Sequence, residues 1–213
     1  WEFTKENPTD LKSKIQPFGG YVYGVGSFKH KIDFSFMYPD TDYKTSTCKT
    51  ENQNPCEDGN YSYDLAISKL GLTQYVATKV IASKNDIIYE DFIMDADGNL
   101  YITGTFEGEV TFYSSDTEEV TKISKGEKDI FLLKLDKNLN FIWVETIGGI
   151  KDDIPVKCVL DDAEKYIYIT GHFKSPSIQF YSNYFYDEYT NAYVPENLNN
   201  IESDVFLWKF LNH

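Results

Sequence analysis

Side chains able to do chemistry gather at four places in this chain: an acidic turn, two close cysteines, a tyrosine-rich run and three scattered histidines. The turn, Asp95-Ala-Asp97-Gly98-Asn99, sets alternating carboxylates ahead of a glycine, as calcium loops do. Such loops supply about six or more oxygens and usually a distal acid. No distal acid is identifiable here, so the segment is expected to be a hairpin turn, with Asp95 and Asp97 as the calcium candidates and no other cofactor. His30, His172 and His213 match no metal-binding spacing, and His172 is expected to be a polar strand position like Ser27 and Thr105. Asp152 and Asp153, just past Gly148-Gly149, read as turn residues. There is no Gly-x-Ser-x-Gly elbow, Walker loop or CxxC pair, and carboxylates are so plentiful that a pair alone names no acid and base. No catalytic residue is therefore assigned.

Cys48 and Cys56 bracket a short polar loop and are expected to form a disulfide, which would restrain a loop of this length by about 2 to 3 kcal/mol. The alternative is a pair of free thiols in a reducing compartment. Cys158 lies inside Val156-Lys-Cys-Val-Leu160 and is expected to be a small buried core residue. Asn60-Tyr-Ser62 is a glycosylation sequon, whereas Asn7-Pro-Thr9 is blocked by its proline. Disulfide and sequon together point to the secretory pathway or the extracellular space. The tyrosine-rich run extends from Tyr181 to Tyr193, with Tyr184, Tyr186 and Tyr189 between and Asp and Asn beside them. Such rings suit a protein contact or stacking on sugars, and the structural alternative is an extra hairpin that caps the fold.

A formal net charge of -14, with lysine the only strong cation and no arginine, argues against nucleic acid and anionic membranes as partners. No apolar stretch approaches the roughly 20 residues of a membrane-spanning helix. The chain opens at Trp1 without an initiator methionine, as expected of a processed or excerpted segment.

The frame that must position these groups repeats. Tyr23-Gly-Val-Gly26, Tyr101-Ile-Thr-Gly104 and Tyr168-Ile-Thr-Gly171 are copies of one strand, and each is followed by an apolar strand opened by Asp and closed by Lys: Asp64 to Lys69, Asp129 to Lys134, Asp204 to Lys209. Around the second copy the hydrophobic period is two throughout. Phe92-Ile-Met94 is strand A, Leu100 to Phe106 strand B, Asp129 to Leu135 strand C and Phe141 to Ile147 strand D. Val110-Thr-Phe112 and a polar stretch to Lys128 separate B from C. The cycle restarts with Ile154 to Leu160 and Tyr166 to Phe173. Tyr75 to Val80 and Trp1-Glu-Phe-Thr-Lys5 match strand D. The glycine after Tyr-x-x is expected to permit close strand approach or a bulge. Four-stranded antiparallel units in tandem predict an all-β fold, a β-propeller of about three blades in one domain, residues 1–213, with repeats near 1–74, 75–142 and 143–213, each beginning at a D-type strand.

Read whole, the second repeat runs Gly98-Asn-Leu-Tyr-Ile-Thr-Gly-Thr-Phe, Val110-Thr-Phe112, Asp129-Ile-Phe-Leu-Leu-Lys-Leu-Asp136, Phe141-Ile-Trp143, Gly148-Gly149 and Asp152-Asp153. It resembles the secreted β-propeller repeat known chiefly from bacterial extracellular proteins. The likeness is closest over residues 92–173 and weaker in the first repeat, where Gly24 follows Tyr23 and the B-to-C insertion is long. It implies a fold and a tendency to be exported, and carries no activity. Propellers usually have about four to eight blades. Three repeats thus imply a longer polypeptide, a ring shared between chains or a filament. The function expected is a non-catalytic extracellular protein-interaction or structural assembly module, in a homo-oligomer or filament. A carbohydrate-binding module using residues 181–193 is the alternative, and a hydrolase with a blade-face cleft the third reading.

Overall fold

In the computed structural model, which describes residues 12–35, 42–49, 56, 59–175, 179–181 and 204–212, the chain is all-β and its sheets are antiparallel. The first sheet takes β1 (Ser13–Phe18) and β2 (Tyr21–Phe28). A separate small hairpin of β3 (Lys31–Asp33) and β4 (Tyr43–Thr45) follows. The sheet then continues with β5 (Asp64–Gly71) and β6 (Tyr75–Ile81) in the order β1-β2-β5-β6. The second takes β7 (Ile87–Met94), β8 (Leu100–Ser114), β9 (Glu119–Leu135) and β10 (Phe141–Gly148). The third takes β11 (Asp153–Leu160), β12 (Tyr166–Phe173) and, after β13 (Gln179–Tyr181) has paired with β10 of the second sheet, β14 (Asp204–Leu211). The expected Trp1 to Lys5 strand lies outside the described residues.

The second sheet is covered on both faces, which explains why its C strand reads as a nearly continuous apolar run. Along β9, Phe131, Leu133 and Leu135 join Tyr23, Val25, Leu65 and Ile67 of the first sheet in one core. Ile130 and Leu132, on the opposite face by alternation, join Ile167, Ile169 and Trp208 of the third in another. Each such side chain contributes about 2 to 3 kcal/mol when removed from water. Trp143 fills the space between units, lying between Tyr101 and Phe210 at ring-centroid distances of 6.3 and 5.1 Å.

One expectation is corrected. The polar stretch up to Lys128 is strand, because β8 continues to Ser114 and β9 starts at Glu119, with Glu109 opposite Ile123 and Ser114 opposite Glu119. Val110, Phe112 and Val120 alternate with polar residues and face the core, and this gives the hairpin an apolar underside. Phe112 stands edge-on to Phe106 at 5.8 Å, as Phe34 does to Phe28 at 5.3 Å after the same six-residue spacing.

The repeated glycine has the structural role anticipated for it. Gly104 and Gly171 lie opposite bulges in the A strands, between Tyr89 and Asp91 and between Pro155 and Lys157. A Cβ on Gly104 would collide with the Ile88 carbonyl oxygen and the Phe131 ring, and one on Gly171 with the Ile154 carbonyl and the Phe206 ring.

Candidate interaction surface

The C-strand lysine and the B-strand tyrosine form a coupling device at each seam between sheets. In the first sheet, Lys69 Nζ lies 4.4 Å from the centre of the Tyr21 ring and donates to Lys137 O at 2.8 Å and Asn138 Oδ1 at 3.3 Å, in the C-to-D turn of the next sheet. Tyr23 donates its hydroxyl to the same Lys137 carbonyl at 2.8 Å. In the second sheet, Lys134 Nζ lies 5.0 Å from the Tyr101 ring and donates to Asn212 Oδ1 at 2.9 Å, just past β14 of the third sheet. The Tyr101 hydroxyl is 2.8 Å from both Asn212 Oδ1 and Asp95 Oδ2. Burial pulls the Lys134 ammonium below the usual lysine range. In the third sheet, Lys209 sits 3.8 Å over the Tyr166 ring and 5.8 Å from Tyr168. There, among the described residues, the device ends without a further turn to grip.

Pairing register puts Val159, Tyr168 and Lys209 in one cross-strand row, and Lys157, Thr170 and Leu207 in the next. The matching rows of the second sheet are Ile93, Tyr101 and Lys134, then Asp91, Thr103 and Leu132. Leu132 is fully buried under the third sheet, whereas Leu207 is 56% exposed and Val159 48%. The face that is sealed in the second sheet is open in the third. At the other end of the series, the first sheet carries Gly24, Ala66 and Ser68 where register puts Ile102, Phe131 and Leu133 in the second. The smaller side chains leave a groove of about 260 Å³ walled by Ile15 and Phe34, with Ile15 67% exposed.

The three A strands converge on Asp91. Its carboxylate takes Lys14 of the first sheet at 3.0 Å, Lys157 of the third at 3.1 Å and the Cys158 N–H at 3.3 Å. Burial opposes its charge, but the two lysines outweigh burial and hold it below the usual carboxylate range. Burial first, then the Asp91 charge, pushes the Cys158 thiol well up, which disfavours its thiolate form.

Cys48 and Cys56 are joined, with Cα atoms 5.5 Å apart, which is compatible with an oxidising compartment. Asn60 is exposed, but the Ser62 hydroxyl of its sequon is buried and donates toward Ser83 O at 2.6 Å and Thr47 O at 2.9 Å, so the fold alone accounts for that serine. Asp95 closes its turn: Oδ1 accepts from the Asp97 and Asn99 N–H groups, and Oδ2 from Asn99 Nδ2 and Tyr101. Asp136 does the same with Asn138 and Asn140, so the pattern is a turn device used twice. Among the described residues, no three His, Cys, Asp or Glu side chains gather to hold a metal. His30 packs edge-on to Tyr61, His172 is exposed on the open face of the third sheet, and His213 lies outside the described residues. Asp152 pairs with Lys174, and buried Asp153 accepts from Ser175 and the Gly149 N–H. Of the tyrosine-rich run, the backbone of Tyr181 ends β13, and Tyr184, Tyr186, Tyr189 and Tyr193 lie outside the described residues.

Sequence reasoning missed two buried acids. Burial pushes Asp129 up to about 6 and Glu145 up to about 7, and Asp129 Oδ1 and Glu145 Oε2 have no hydrogen-bond partner. The signal was present, as Glu145 falls at an inward position of the alternating Trp143-Val-Glu-Thr-Ile147 strand. Both are buried: Glu145 lies in the row of Leu132, on the face turned to the third sheet, and Asp129 lies in the row of Phe106, on the opposite face. No protein-family model matches this chain, and no curated protein matches it either.

Proposed function

We propose that this chain is a run of β-propeller blades that works as a non-catalytic protein-association module outside the cell or along the secretory route. The observation that carries the reading is the contrast between Leu132, fully buried, and Leu207, 56% exposed at the matching position. Two successive sheets bury this face against a neighbour, and the third presents the same face to solvent. Exposed aliphatic side chains in register on a rigid sheet are what a protein interface needs at its centre. The Lys209 and Tyr168 rows add polar groups that fix a partner's orientation. The disulfide and the exposed Asn60 support export. No cofactor, nucleic acid or membrane insertion takes part.

The test is site-specific photo-crosslinking. A photoreactive amino acid at Val159, on the open face, should give a protein adduct, and the same group at Ile123, exposed on the β8–β9 hairpin, should not. Equal or absent adducts at the two positions contradict the reading, as does turnover in a broad hydrolase panel.

A further inference from the structure

We infer that the partner of the third sheet's open face is a second copy of this chain, which docks through the outer face of its first sheet so that copies join head to tail. The inference rests on the association reading above and names its partner.

Three observations carry it. Each internal seam joins the same two halves. The forward half is the row of tyrosine, small or apolar residue and lysine, and the rear half is the opposite face of the following sheet together with the residues just past its C strand. One forward half stays exposed, at Leu207 and Val159, and one rear face has an exposed wall, at Ile15. A second copy is the partner that carries both.

The polar ends also match. Lys69 reaches the C-to-D turn of the second sheet and Lys134 the residue just past the C strand of the third, and Lys209 repeats their position over its own tyrosines. The C-to-D turn of the first sheet is exposed at Leu72, Thr73 and Gln74, which places carbonyl oxygens and an amide side chain where Lys209 of another copy would find them.

Bulk is matched as well. The forward face of the third sheet carries His172 where Ser27 and Thr105 stand in the others. Ser27 bridges Ile87 O and the Tyr89 N–H across its seam, at 3.0 and 2.7 Å. By register Ser13 occupies the place of Tyr89 in the first sheet, beside the groove that Gly24, Ala66 and Ser68 leave open. The larger side chain at one end thus meets the smaller ones at the other. A heterologous contact of this kind makes rings where the rotation closes and filaments where it does not.

The experiment is sedimentation velocity on the full chain and on Leu207→Asp and Ile15→Asp, two exposed positions whose substitution spares the core, with circular dichroism confirming that each variant is folded. The wild type should sediment as more than one chain, each variant alone as a monomer with affinity weakened about tenfold or more. An equimolar mixture of the two variants should form a dimer and nothing larger, because one intact seam remains between them. A wild type that stays monomeric overturns the proposal. So does an Ile15→Asp variant that still self-associates, since the third sheets would then meet each other. Monomeric wild type with a protein adduct from Val159 leaves the association reading standing and removes only the second copy. Monomeric wild type with no adduct removes both. Should a variant fail to fold, Val159→Asp replaces Leu207→Asp and Leu72→Asp replaces Ile15→Asp, with the same outcomes.

Discussion

At the residue scale, the second sheet holds two buried carboxylates, each with an oxygen that lacks a hydrogen-bond partner among the described residues. Asp129 and Glu145 are raised to about 6 and about 7 by burial, from ordinary carboxylate values near 4 in an unfolded chain. A raised folded-state value favours the protonated fold. Stability from these groups is therefore complete below about pH 4 and is lost as pH rises toward about 7. Asp91 works in the opposite sense, because its value is held down by Lys14 and Lys157, so its contribution is present above about pH 4 and disappears at stronger acidity. Thermal denaturation followed from pH 8 to pH 5 should show a rising midpoint. Glu145→Gln should flatten that rise and stabilise the protein at pH 7.5 by on the order of 2 to 3 kcal/mol. A variant with the wild-type pH profile would mean that Glu145 is solvated in solution.

At the element scale, the glycine opposite each A-strand bulge decides whether B and A can close. Gly104→Ala should cost about 3 kcal/mol in a denaturant titration, because the methyl group meets backbone and a packed ring. Gly24→Ala, whose Cβ would find Ile15 Cγ2 at 3.7 Å, should stay within about 0.5 kcal/mol of wild type. Cys48→Ser should lower stability by about 2 to 3 kcal/mol, read as a shift of the denaturant midpoint that reduction of the wild type reproduces. The strands of the second repeat were legible in the sequence because alternation and Asp-x-Asp-Gly-Asn chemistry act over a few residues. The extension of β8 and β9 was legible in principle, through Val110, Phe112 and Val120, but its polar composition masked the alternation. The pairing of β13 with β10 left no local signal, since a three-residue strand is specified by the edge it joins.

At the scale of the whole molecule, three antiparallel sheets in series share two cores and one repeated coupling device. The repeat itself was plain in the sequence from Tyr-x-x-Gly and the Asp-to-Lys strands. The device was not, because Lys69 meets a carbonyl 68 residues away and Tyr23 one 114 residues away. Only the order of the sheets in space brings them together. The Asp91 junction was hidden for the same reason. A chain of net charge -14 repels its copies, so association should strengthen with added salt as screening grows. The most direct measurement is native mass spectrometry of the purified chain beside Leu207→Asp. Masses at multiples of 24.6 kDa for the wild type and a single-chain mass for the variant are the predicted result. A single-chain mass for both, or the same assembly for both, would show that the open face of the third sheet does not join copies of this protein.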